Sequence, residues 1–401
     1  MSQYIAPSVD VNCDPVGLVI DLDSLAASLA RLHDPRRARG LRYSLVTLLL
    51  FVILAKLAGE DELGGICDWV RHRQESLAEA LHLKKPRAPC LNTYRHVLGD
   101  LIDLDEFQAL VHDFFAGQPR AGQSLVIALD GKTLRGTIPT GHSQGVHLLA
   151  AYLPAEGWVL LQVAVKNRAN EITAAPQLLK SLDLRGKVVT GDALLAQRAL
   201  SLQIVEAGGD YLWTIKENQA GVYQQLQQFF TRPAGMSFNP VAPDGVRCAR
   251  SFDKGHGRWE WRTLQATRVY PGHLHWPQAA QAFQLERRFV RVADGHATHQ
   301  VVFGVTSLTV EEASAKRLLE WHRSDWGIEN GLHYRRDETL REDWYQLKKG
   351  HTAEAMALLN NLVLGLIAQT GEHNVPRARR HYEAHLKDSV QLVLNRLSSD
   401  N

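Results

Sequence analysis

Apolar residues recur at helical spacing from Tyr43 to about Leu83, with breaks at Gly59 and at Gly64-Gly65. A short helical pattern, LDSLAASLARL, precedes that stretch, behind a polar lead. Pro86 and Pro89 interrupt it, and Asn92-Thr93 reads as the start of TYRHVLGDLI, with LDEFQALVHDFF following. Residues 1–118 are therefore expected to form an all-helical domain, with Gly117-Gln118-Pro119 as a linker. The period then changes from helical to strand-like. Strand patterns fall at 125–129, 146–152 and 158–165, a helix at 171–182, a strand at 187–190, a helix near 195–207 and a strand at 210–216. Three strands followed by alternating helix and strand is the order of an α/β sheet carrying helices on both faces. From 217 to 308 one helix, GVYQQLQQFF, gives way to β-like stretches at 258–268, 283–293 and 300–307; residues 311–335 and 352–370 return to helical periodicity.

Composition changes this picture little. With 401 residues, 45% of them hydrophobic, 22% charged and a net charge of +2, the chain reads as an ordinary globular protein with room for two or three domains. Charge is uneven, however: Arg36, Arg37, Arg39 and Arg42 crowd one segment, and Pro376-Arg377-Ala378-Arg379-Arg380 forms another near the C-terminus. Such clusters can neutralise phosphates in a protein that is nearly neutral overall, or can simply be solvated faces. The four cysteines lie far apart without a CxxC pair, which argues against a zinc knuckle or a disulfide framework. No signal-peptide pattern opens the chain, and the apolar run Leu45–Ala55 is too short to span a bilayer. The expected location is cytoplasmic, with no membrane partner.

Chemistry enters at two strand ends. LVIALDGKT delivers Asp130 onto a glycine, and VVTGDALLAQ delivers Asp192 immediately after another. The GKT does not belong to a phosphate-binding loop, because the glycine such a loop needs would fall at Val126. Each aspartate alone could be a turn or cap residue. As a pair at neighbouring strand ends they make a hard oxygen site suited to Mg²⁺ or Mn²⁺. In an extended backbone Lys132 shares a face with Asp130, where it could hold a phosphate. Displacement at phosphorus usually takes two metals about 3.5–4 Å apart, so a third carboxylate is expected. WHRSDWGIENGLHYRR offers Glu329, with Asp325, His333 and Arg336 at helical spacing on one face.

ALDGKTLRG, HLLAAY, KNRANEI, TGDALLAQ, GGDYLWTIKENQ, KGHGRWEWR and WGIENGLHYRRDETLRED occur in one order, followed by KKGHTAEAMALLNNLVLGLI. Together these motifs resemble the insertion-sequence transposases of the H-repeat-associated type, over about residues 28–370. The resemblance implies a DDE transposase with an RNase H-like mixed sheet flanked by helices. A β-rich insertion, about 217–308, would precede the last catalytic helix, with the catalytic domain over 119–370 and a basic helical tail over 371–401. It makes Asp130, Asp192 and Glu329 the catalytic, metal-binding triad. Its expected partners are DNA (element ends and target) and further copies of the chain assembled on DNA. Lys132, Arg135, Arg258, Arg262 and Arg336 are the candidate phosphate contacts of the catalytic domain. Arg36, Arg37, Arg39 and Arg42 are those of the helical domain. Two rivals stand beside this reading: an RNase H-like nuclease with another substrate, and a non-catalytic DNA-binding derivative.

Overall fold

A computed structural model describes residues 24–37, 41–118, 124–165, 170–231, 245–255 and 257–395. Its internal contacts divide the chain into two units, 1–121 with 336–401, and 122–335.

The first unit opens with helices α1 (Leu25–Leu29), α2 (Leu45–Leu57), α3 (Leu63–His72), α4 (Gln74–Ala80), α5 (Leu91–His96) and α6 (Leu104–Ala116). Side-chain caps set several of these starts. Ser24 accepts from the Ala27 amide, Ser44 from Thr47, and Asp103 from Asp105 and Glu106, each satisfying an amide that the first turn leaves open. α2 is apolar around its whole circumference and is buried along its entire length, the expected fate of a helix without a polar face. Leu49, Leu50 and Leu54 are fully sequestered, and burying each such side chain contributes about 1.5–3 kcal/mol.

The second unit is built on a nine-stranded sheet: β1 (Val126–Thr133), β2 (His147–Leu153), β3 (Trp158–Val165), β4 (Val188–Gly191), β5 (Asp210–Ile215), β6 (Arg247–Gly255), β7 (Arg258–Arg268), β8 (Gln281–Arg291) and β9 (Ala297–Thr306). The strand order is β3-β2-β1-β4-β5-β9-β8-β7-β6. β1, β4 and β5 run parallel, and every other neighbour is antiparallel. Helix α7 (Glu171–Lys180) packs on β2 and β3, and α8 (Arg198–Glu206) on β5; α9 (Ala220–Thr231) meets β8 and β9. α10 (Ala315–Ile328) lies across β1, β4, β6 and β7. β6 to β9, which follow α9 in the stretch expected to be β-rich, extend the same sheet beyond β5. One apolar cluster shows the continuity: Val188 and Leu212 share it with Leu264, Phe283, Leu285 and Leu318.

The chain then returns to the first unit through α11 (Thr352–Gln369), α12 (Val375–Ala384) and α13 (Leu386–Leu394). α11 is long and apolar enough to cross a bilayer, but 83% of that window is buried inside the protein. Contacts group 336–401 with the N-terminal helices, whereas the resemblance implied one catalytic domain from 119 to 370. The C-terminal basic run is divided by this packing. Arg377 and Arg380 are exposed, while Arg379 is buried and pairs with Asp61 at 2.8 Å.

Candidate active site

The parallel register pairs Leu129 of β1 with Gly191 of β4, so Asp192 follows the end of β4 at the level of Asp130. Asp130 itself is not at a strand end as the sequence suggested: β1 runs on to Thr133 by pairing with β2, and Asp130 sits where its pairing with β4 stops. In an open sheet this carboxyl-end crevice is where ligands bind. The Gly131 amide donates to Asp130 Oδ1 at 2.9 Å. Asp192 caps the turn that follows its strand, Oδ1 accepting from the amides of Leu194 at 2.8 Å and Leu195 at 3.2 Å. Glu329 arrives from the far end of α10, exposed at the point where the helix widens into a π turn over Glu329–His333. A cavity of about 280 Å³ is lined by all three carboxylates, with Thr214, Lys216, Arg287, Gln300 and His322 among the rest of its wall.

Close approaches on either side explain the local sequence. A side chain at Gly331 would meet Tyr152 Oη at 2.8 Å, so a glycine here lets the helix end sit against β2 and hold Glu329 over the crevice. A side chain at Gly131 would strike Glu171 and would lie 2.8 Å from His147 Nε2. These two residues form a buried chain behind Asp130: Thr133 Oγ1 to His147 Nδ1 at 2.7 Å, and His147 Nε2 to Glu171 Oε1 at 2.7 Å. His333 Nε2 comes within 3.3 Å of Asp130 Oδ2, yet neither ring nitrogen makes a hydrogen bond, so this is a close approach only.

Several phosphate contacts expected from the sequence are not available as folded. Arg336 is completely buried, bonded through Nε to Glu342 at 2.8 Å and through Nη1 to Asn361 at 3.3 Å. The reason is helical phase: a π turn takes an extra residue, which rotates everything after it by about 100° relative to a regular helix. Lys132 is buried and is not part of the cavity wall. Arg262 is only 13% exposed and is tied to Glu260 and Asp253. Arg36 is folded back onto Asp34 at 2.6 Å and the Tyr43 carbonyl at 3.1 Å. Arg37, Arg42, Arg135 and Arg258 remain exposed. Arg39, His256 and the side chain of Asp325 lie outside the described residues.

Lys216, Arg287 and His322 were not anticipated. Lys216 follows the last residue of β5, so the strand-end logic that found the two aspartates extends to it. His322 precedes Glu329 by two helical turns. Nothing in the sequence marks Arg287. Burial, reinforced by the guanidiniums of Arg287 on β8 and Arg262 on β7, pushes the His322 imidazole down to about 4. Thr214 Oγ1 lies 3.3 Å from Nε2 and Phe283 packs edge-on, while Lys216, Glu329, Asp130, Asp192, Glu260, Arg258 and Arg323 line the two cavities that His322 borders. An unfolded chain, with histidine near 6.5, binds this proton more readily than the folded one. The stability that His322 contributes is therefore complete above about pH 6.5 and is lost as pH falls through 4, a difference of about 3 kcal/mol. Urea unfolding at pH 7 and pH 4.5 should show the loss in the wild type and a smaller one in His322→Gln. Identical losses would refute the assignment.

The donors fit a hard divalent ion, being carboxylate oxygens that line one crevice. Among the described residues, only His381, His385 and Asp388 bring three ligand atoms all within 4.8 Å of one another. Asp130, Asp192 and Glu329 are the residues that would hold such a divalent ion.

Comparison with known proteins identifies the family of the chain. The family described as "Transposase DDE domain" matches residues 121–366, and "DDE_Tnp_1-associated" matches 26–115. "Putative transposase YncI" of Escherichia coli O157:H7 is 26% identical over 358 residues, 87% of this chain and 88% of its own. "H repeat-associated putative transposase YhhI" of Escherichia coli strain K12 is 26% identical over 363 residues, covering 87% and 91%. A solved piggyBac transposase synaptic complex with hairpin DNA superimposes with a TM-score of 0.43 at 11% identity, over 94% of this chain and 79% of that one. Matched over more than half of its length by the first of these families, the chain belongs to the DDE transposases, alongside the H repeat-associated proteins.

Proposed function

We propose that the chain is a catalytically competent DDE transposase that cuts DNA at the ends of an insertion sequence and joins them to a target. The observation that carries this reading is the meeting of Asp130, Asp192 and Glu329 in one cavity, from two adjacent parallel strands and one helix end. The order β3-β2-β1-β4-β5, antiparallel then parallel, supports an RNase H-like core. Asp130, Asp192 and Glu329 would hold Mg²⁺ or Mn²⁺, which when bound supplies the acidity that activates a water and stabilises a departing 3′ oxygen. The chain's own residues do the positioning. The amides of Leu194 and Leu195 fix one oxygen of Asp192, so its carboxylate faces the crevice without reorganising. Lys216, on the cavity wall, would hold a non-bridging phosphate oxygen.

Arg135 and Arg258 would contact DNA from the catalytic unit, and Arg37 and Arg42 from the helical one. Two ends must be paired for transposition, so the working form would be an oligomer on DNA, in the cytoplasm.

An assay with a pre-cleaved end oligonucleotide, a target plasmid and Mg²⁺ separates the readings. Joined product is expected. Cleavage without joining would make the chain a nuclease with another substrate, and binding without metal-dependent cleavage would make it a non-catalytic derivative.

A further inference from the structure

Beside the carboxylate cavity lies a second one of about 280 Å³, and Arg287 and His322 form the wall between them. Its lining comes from strand alternation. Arg258, Glu260 and Arg262 occupy every second position of β7 and so share a face, and Arg287 stands opposite Arg262 on β8. Arg323 of α10 completes the pocket. Glu260 is buried at the centre of this group. It accepts from Arg287 Nε at 3.2 Å and Nη2 at 3.0 Å, pairs with Arg262 Nη2 at 2.6 Å, and lies 4.0 Å from Arg258. Asp253 takes Arg262 and, at 3.0 Å, Arg323.

Among the described residues, four guanidiniums thus share two carboxylates, Glu260 and Asp253, an excess of two positive charges. A network that served only to tie strands together would gain from neutrality, because uncompensated charge in a half-buried place costs free energy. The two arginines at the mouth, Arg258 and Arg323, keep 49% and 41% of their side chains open to solvent, so they can reach a ligand while still paired. Three carboxylates next door would repel a polyanion, and excess cations within the same groove offset that repulsion. Guanidinium forks match phosphate oxygens in pairs.

We infer that this pocket is a subsite for a DNA phosphodiester flanking the one at Asp130, Asp192 and Glu329, contacted by Arg323 and Arg258, with Glu260 as the positioning residue for Arg262 and Arg287. The inference rests on the proposed DNA-cutting function for its choice of anion. It accounts for the HGRWEWR segment, in which alternate residues build the pocket and the carboxylate between the arginines fixes their geometry.

The test is a linkage scan on the full-length chain. Duplexes taken from the DNA flanking the gene carry a single neutral methylphosphonate at successive positions, and affinity is measured for the wild type and for Arg323→Ala. The wild type should lose about tenfold at one or two linkages near the cut. Arg323→Ala, a partly exposed site whose loss leaves the fold intact, should lose nothing further at those linkages and keep its penalties elsewhere. Glu260→Gln should blunt the same linkages, and Arg323→Lys should restore part of the effect. Equal penalties in the wild type and Arg323→Ala at every linkage would overturn the subsite. Because affinity is the readout, the scan decides this even if the chain cuts nothing, an outcome that would count against the proposed activity alone.

Discussion

Asp192→Asn is expected to fold, to bind DNA and to cut it about a thousand times more slowly than the wild type. Asparagine keeps the oxygen that accepts from the amides of Leu194 and Leu195, so the turn after β4 survives and the side chain stays where it is. Only the charge is removed. A carboxylate that holds a divalent ion at developing charge on phosphorus contributes several kcal/mol to the transition state, and about 4 kcal/mol corresponds to about three orders of magnitude in rate. Single-turnover cleavage in Mg²⁺ measures the rate, and thermal melting checks that the fold is unchanged. Asp130→Asn and Glu329→Gln should behave alike, because all three carboxylates line the same cavity. A cleavage rate within tenfold of the wild type in Asp192→Asn would remove this residue from the site.

What the sequence announced and what it hid follow physical lines. β1 to β5 were legible because their apolar runs are short, continuous and bounded by turn residues. The same logic brought out Asp130 and Asp192, since a carboxylate after an apolar run stands out, although β1 continues past Asp130 to Thr133, where polar residues pair with β2. β6 was missed. RCARSFDKG is polar on both faces in sequence, as an edge strand with one neighbour can be, and only pairing with β7 reveals it. The helical wheel drawn through Glu329 placed Arg336 on the same face, but two successive π turns, at Glu329–His333 and Arg335–Thr339, break the phase. Arg287 carries no local signal, and the motif that contains Glu260 does not show its partner, because their meaning arises from register across two strands. Arg379 misled for the opposite reason. A run of exposed-looking arginines contains one whose counter-charge, Asp61, lies more than three hundred residues away.

That distant pair leads to the largest stability effect expected outside the catalytic unit: Asp61→Ala should cost the helical unit about 3–5 kcal/mol and lower its melting temperature by about 10 °C. Asp61 is buried and is shared by two cations, Lys56 Nζ at 3.3 Å and Arg379 Nη2 at 2.8 Å. Arg379 also donates to the carbonyls of Lys56 at 3.1 Å and Thr339 at 2.7 Å, so it ties α2 and α12 to the segment before α11. Truncating the aspartate leaves both cations buried without it. Burial already pushes the Lys56 ammonium below the usual lysine range, and Asp61 is the main influence opposing that shift; Arg379 adds to it and Glu342 opposes it weakly. Without Asp61 the amine moves further down. An unfolded lysine stays protonated to about 10.4, so the variant gains stability as pH rises toward that value. The deficit of Asp61→Ala should therefore be smaller at pH 9 than at pH 7. Adding Lys56→Met should recover part of the loss at pH 7, since one of the two stranded cations is then gone. Chemical denaturation of the four members of this cycle at both pH values gives the coupling directly. A loss below 1 kcal/mol, or one independent of pH, would show that Lys56 and Arg379 find other partners when Asp61 is absent.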